Sequence, residues 1–231
     1  MKKDNKIRLG FFYYDLCNLY GDSGNVMILV HHLEAQGAKV IVDRLTVDEP
    51  KKIEKYDWIY MGSTTDRGLL LALMDLRKYK TALAYAIEHG THILATGNSF
   101  ELFGKELRMG SKLYHGLGLL DFSTKYGPRI VNDLMEPYIG FENHPGVTVE
   151  SKEAPFVDLD DRKEGVVRNN FIGTYTVGPL LVRNPAFLRS YVEAILRRKD
   201  PGFEIKPMDL HLEQAVYEAS VEELSKPHVT Y

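Results

Sequence analysis

The stretch "HILATGNSFELFG", residues 92–104, decides how the chain is read. A strand-like run through Ile93, Leu94 and Ala95 enters Thr96-Gly97-Asn98-Ser99, and apolar residues return at Phe100, Leu102 and Phe103. A short apolar run closed by a Gly-Asn-Ser cluster predicts a buried strand, a tight turn and then a helix. In α/β enzymes an elbow of this kind is where a nucleophile is often displayed. The stretch therefore poses a chemical question, because none of its residues is a cysteine.

Upstream, strands and helices alternate. "KIRLGFFYY" (6–14) predicts a first buried strand, and "NLYGDSGN" (18–25) a turn-rich loop in which Asp22 or Ser23 is placed to cap a helix starting near Asn25. Val26, Leu29, Val30 and Leu33 give that helix an apolar face, and Gly37 stops it. "AKVIVDRL" (38–45) and "YDWIYMG" (56–62) predict the next two strands, and one long helical region covers about 67–89. Such alternation with short loops marks a parallel sheet covered on both faces, whose ligands sit at the carboxyl ends of the strands. The loops "NLYGDSGN", "GSTTDRG" and "TGNSFE" converge there.

The 231 residues, 44% of them hydrophobic, suffice for one substantial core, and a single domain over 1–231 is expected. A net charge of −3 offers no electrostatic case for nucleic acid. No apolar run reaches the roughly 18–20 residues of a membrane span, and Asp15 interrupts the first apolar stretch too early for a signal peptide. A cytoplasmic location is expected. One cysteine, Cys17, excludes an internal disulfide and a cysteine-based zinc site.

Beyond residue 112 the pattern shifts to short β-like pieces: "GLGLLDF" (116–122), "RIVNDLM", "YIGFEN", "VTVE" and "GVVRNNFIGTY". They predict an antiparallel or mixed extension of the sheet. Residues 151–164 are expected to be an exposed loop, 184–199 and 208–225 amphipathic helices, and 229–231 a frayed end. Neither a cofactor nor a metal is expected. His31 and His32 point to different faces of a helix, and His211 with Asp209 and Glu213 reads as a solvated face.

Several segments, in order, resemble the CobB/CobQ-like branch of class I glutamine amidotransferases, and within it the GatD-like glutaminase subunits of lipid II isoglutaminyl synthase. They are "NLYGDSGN" (18–25), "DWIYMGSTTDR" (57–67), "GLGLLDF" (116–122), "GFENHPGVT" (140–148) and "GTYTVGPLLVRNP" (173–185). "GNSFELFGKEL" (97–107) takes the place of the family's Cys-Gly-Gly-Tyr-Gln-Leu-Leu-Gly elbow. The resemblance implies a flavodoxin-like, mostly parallel α/β sheet with helices on both faces and an antiparallel extension. It also implies a partner, a MurT-like Mur-ligase-type synthetase. That synthetase uses ammonia released from glutamine to amidate the D-glutamate of lipid II.

In that family an elbow thiolate attacks the glutamine carboxamide, a later histidine moves the proton, and backbone N–H groups of a glycine-rich loop hold the oxyanion. Here the nucleophile position is Gly97, or Ala95 if the alignment shifts by two residues, and the histidine position is Val177. The oxyanion loop reads Gly62-Ser63-Thr64, and the elbow's usual Gln is Glu101. The expectation is a non-hydrolysing subunit acting as scaffold or regulator. The alternative is an active glutaminase with a rearranged site, serving lipid II or corrinoid amidation.

Candidate substitutes for the missing groups are Ser99, Cys17 and His144. Their plainer readings are a helix cap, core packing and a hydrogen-bonded turn. Gly62, Ser63, Asn98, Ser99, Arg129 and Tyr175 are the expected lining of a pocket for glutamine or another small amide or carboxylate. Arg129 is suited to clamp a carboxylate.

Overall fold

The computed structural model describes residues 5–158 and 162–226; the end at 229–231 lies outside them. Its central sheet contains β1 (Lys6–Phe12), β2 (Lys39–Leu45), β3 (Trp58–Met61) and β4 (His92–Thr96). A second sheet is built from β5 (Glu106–Met109), β6 (Lys112–His115), β7 (Ser123–Leu134) and β8 (Gly140–Val149), in the order β6-β5-β7-β8. A two-stranded piece follows, β9 (Val157–Asp158) with β10 (Lys163–Glu164), and then β11 (Val166–Arg168) and β12 (Phe171–Thr174) complete the central sheet. Its order is β11-β12-β4-β3-β1-β2, parallel throughout except for β11 at the edge.

The strands are nearly continuous apolar runs because both faces are covered. On β3 and β4, Trp58, Tyr60 and Leu94 join one buried cluster, while Ile59, Met61, Ile93 and Ala95 join the other. The first cluster is covered by α1 (Ser23–Ala35) and, beyond the short α4 (Leu180–Arg183), by α5 (Pro185–Lys199). Leu188, Tyr191, Val192, Ile195 and Leu196 form the helix-spaced stripe that α5 buries, and Pro185 opens that helix where no N–H is needed. The opposite cluster is covered by α2 (Asp66–Leu76) and α3 (Lys80–Glu88). The side chain of Thr65 caps α2 by accepting from the Gly68 N–H at 3.1 Å.

Several expectations need correction. The helical region over 67–89 is two helices separated by a 3₁₀ turn at Arg77–Tyr79, where Tyr79 leaves helical dihedrals. "GLGLLDF" forms no strand. Its amides at Leu117, Gly118 and Leu119 instead bond to the carbonyls of Leu102, Gly104 and Phe103, and Leu117, Leu120 and Phe122 are buried beneath the elbow. Most of the extension is a separate sheet; only β11 and β12 extend the central one. The supposed loop 151–164 contains β9 and β10, with Val157 and Glu164 buried and 159–161 outside the described residues.

The last helix, α6 (His211–Leu224), is solvated on most sides, but Glu213 is buried and meets His32 Nε2 at 2.8 Å. Asp22 occupies the cap position of α1 without capping it, because its carboxylate turns inward. Among the described residues no group of three or more His, Cys, Asp or Glu is arranged to hold a metal ion. No described helix is long and apolar enough to cross a membrane.

Candidate active site

The loops after β1, β3 and β4 meet at the carboxyl ends of the strands, and β7, β8 and the segment after β12 close over them. They enclose a cavity of about 410 Å³. Gly97, Val177 and Ser63 all line it, as do Asn98, Arg129, His144 and Tyr175. Gly62, Ala95, Ser99 and Cys17 do not line it. Leu19, Tyr20, Asp66 and Arg67 also contribute, and sequence reasoning did not single these out.

The elbow is sharp. β4 ends at Thr96, Gly97 takes φ +64°, and a buried 3₁₀ helix runs from Gly97 to Phe103 in place of the expected α-helix. That left-handed dihedral is costly for any residue with a β-carbon. Ser99 Oγ lies 3.0 Å from the Thr96 carbonyl and 3.1 Å from that of Met61, so its one proton is spent inside the turn. It is fully buried and neither caps the helix nor faces the cavity. Asn98 spans the two loops: its Oδ1 accepts from the Thr64 N–H at 3.0 Å and its Nδ2 donates to the Thr64 carbonyl at 2.9 Å. A backbone donor of the Gly62-Ser63-Thr64 loop is thereby consumed.

Beneath the elbow, Asp22 Oδ1 accepts from Thr96 at 3.0 Å, with the hydroxyls of Tyr60 and Ser63 at 3.3 and 3.4 Å. Burial pushes the Asp22 carboxyl up from its ordinary range. Cys17 is wholly buried nearby, and burial pushes its thiol up to about 12, which keeps it protonated at neutral pH.

His144 reaches the cavity with its chemistry largely committed. Nδ1 donates to the Gly146 carbonyl at 2.7 Å, and the ring stacks on Tyr175 with centroids 3.6 Å apart. Nε2 lies 3.5 Å from Glu142. Burial opposes ionisation of Glu142, but hydrogen bonds from His144 and Arg162 outweigh it and hold the carboxyl at about 2. Arg129 Nη1 donates to Asn143 Oδ1 at 2.7 Å, which fixes the guanidinium at the rim. At Val177 the backbone pairs with Phe141 in both directions, and its side chain offers no proton acceptor.

The least expected feature is Glu101. It is fully buried between Tyr175, whose hydroxyl is 2.9 Å from Oε1, and Tyr126, whose hydroxyl is 3.1 Å from Oε2. Burial raises its carboxyl to about 8, so it is mostly protonated at neutral pH. The only sequence signal was an acid set among Phe100, Leu102 and Phe103.

Comparison with known proteins places this architecture. Residues 8–185 match the CobB/CobQ-like glutamine amidotransferase domain. The chain belongs to this family. It is 31% identical to the lipid II isoglutaminyl synthase (glutamine-hydrolyzing) subunit GatD of Staphylococcus aureus, over 89% of this chain and 90% of that protein. The corresponding subunit of Streptococcus pneumoniae is 28% identical, covering 84% of this chain and 82% of that protein. Among solved structures, a glutamine amidotransferase matches with a TM-score of 0.52 at 16% identity, over 81% of this chain and 98% of that one, which supports the fold.

Proposed function

We propose that this chain is an amidotransferase-type subunit that has kept the fold of the glutaminases but does not hydrolyse glutamine. It serves a Mur-ligase-type synthetase acting on lipid II as scaffold or regulator. The observation that carries this reading is the cavity itself: Gly97 of the elbow and Val177 both line it, and no thiol does. Amide hydrolysis by this family's route needs a thiolate, an imidazole to move the proton, and free N–H donors for the oxyanion. Removing one member of a comparable acyl-transfer site costs about 10⁶-fold in turnover. Here no thiol lines the cavity, Val177 stands at the position of the proton-moving histidine, and the Thr64 amide is bonded to Asn98.

The substitutes are poorly placed for the same work. Ser99 and Cys17 are buried outside the cavity, and His144 is held by Gly146 and Tyr175. The assignment to lipid II amidation is supported by the two GatD relatives, each matched over more than four-fifths of its length. The family's glutamine-hydrolysing members deliver ammonia to a synthetase; a subunit without that chemistry would leave its partner to free ammonia.

Glutamate release from glutamine, measured with and without a Mur-ligase-like chain and ATP, tests the proposal. No release above the buffer blank is expected in either case, while the two chains copurify. Steady release that disappears in Ser99→Ala or Cys17→Ala would establish the alternative, an active glutaminase with a rearranged site.

A further inference from the structure

Gly97 and Ser63 stand in an unusual relation. A β-carbon built on Gly97 would lie 2.1 Å from Ser63 Oγ, 2.7 Å from Ser63 Cβ and 3.0 Å from Ser63 Cα. Rotating the Ser63 side chain removes the first clash and leaves the second. The Ser63 backbone has little freedom to retreat. Its carbonyl accepts from the Leu19 N–H at 3.3 Å, and the next residue, Thr64, is clamped on both sides by Asn98. Ser63 is itself only 2% exposed, with its hydroxyl directed at the buried Asp22.

We propose that Ser63 is the residue that closes the elbow: a side chain at position 97 fits only when position 63 is glycine, so the two positions are mutually exclusive. The inference rests on the reading above that the elbow is chemically empty, and it goes further. The place a nucleophile would occupy is filled by a neighbour rather than left vacant. A thiol placed at 97 alone therefore lowers stability and leaves the sulfur shielded by Ser63. With Ser63 shortened as well, a cysteine at the strand-to-helix turn sits beside the cavity and becomes accessible to electrophiles.

A double-mutant cycle on the full chain tests this. The variants are Gly97→Ala, Ser63→Gly and the pair, and thermal midpoints are the readout. The left-handed strain at 97 and the 3.0 Å approach to the Cα of residue 63 are common to both alanine-bearing variants and cancel. What remains is the contact with Ser63, whose overpacking should lower the midpoint of Gly97→Ala by roughly 5–10 °C relative to the pair, after subtracting the effect of Ser63→Gly. A parallel pair with Gly97→Cys reads accessibility: alkylation mapped to residue 97 should be at least about tenfold faster with Ser63→Gly than without it. If Gly97→Cys alone does not fold, the midpoint cycle still decides.

Additive midpoints would overturn the proposal, as would equal alkylation of the single and double cysteine variants. Neither readout involves glutamine, so glutamate release by the unmodified chain would refute the proposed function and leave this inference standing.

Discussion

Replacing Glu101 by glutamine should change how the stability of the protein depends on pH. The folded carboxyl sits at about 8 against an ordinary 4.5, because burial between Tyr175 and Tyr126 disfavours its charge. Between those two values the folded chain holds a proton that the unfolded chain has released, so stability falls as pH rises. The slope is about 1.4 kcal/mol per pH unit, accumulating to at most roughly 5 kcal/mol by pH 8 and then levelling. Glutamine imitates the neutral acid, accepting from one tyrosine and donating to the other, and it does not titrate. Trp58 is the only tryptophan and is fully buried, which makes its fluorescence a clean reporter of urea unfolding. The gap between Glu101→Gln and the unmodified chain should widen in favour of the variant from pH 5 to 8. Two curves that stay parallel over that range would refute the assignment of a protonated Glu101.

Acid should destabilise the protein by separate routes. Burial opposes the charge on Asp75, but bonds from Lys51, Lys78 and Tyr13 hold it at about 2, as Glu142 is held, so their contributions are lost as pH falls below about 4.5. His92 is kept neutral by burial with a value of about 4, so its contribution is lost between 6.5 and 4. Below about pH 4.5 the raised carboxyls of Glu101 and Glu164 no longer offset these losses, so a urea midpoint that held steady from pH 4.5 to 3 would contradict them. Lys51→Met should lower the thermal midpoint by roughly 6–12 °C, since it breaks a wholly buried pair with Asp75 at 2.6 Å; a fall below 2 °C would show that Lys78 suffices. Cys17 should react with a thiol reagent at neutral pH at least about 10²-fold more slowly in the folded chain than in urea. Comparable rates would mean the thiol is open to solvent.

The parts of the fold legible in the sequence were those set by local pattern. β4 spans His92–Thr96 as its apolar run indicated, and the helix after "NLYGDSGN" buries Val26, Leu29 and Leu33. Reading failed where apolar residues serve a different backbone. "GLGLLDF" has a strand's composition, yet Gly118 at φ +61° breaks any ladder and the leucines pack under the elbow instead. The helix break at Arg77–Tyr79 was hidden because apolar spacing continues in phase across it. At the site, the loops could be placed by topology, and Gly97 and Val177, singled out by resemblance, both line the cavity those loops form. The clamp of Asn98 on Thr64, the inward turn of Asp22 and the contact between Ser63 and Gly97 join residues far apart in the chain, and local pattern carries no trace of them.

A single mass spectrum tests most directly whether a nucleophile faces this cavity. The chain, alone and mixed with a Mur-ligase-like chain, is incubated with an electrophilic ketone analogue of glutamine and weighed intact. An unchanged mass is expected, since no thiolate faces the cavity at Gly97 and burial keeps Cys17 protonated. Stoichiometric adduct formation that glutamine prevents, mapped to Ser63, Ser99, Cys17 or His144, would mean that a nucleophile works in this protein after all.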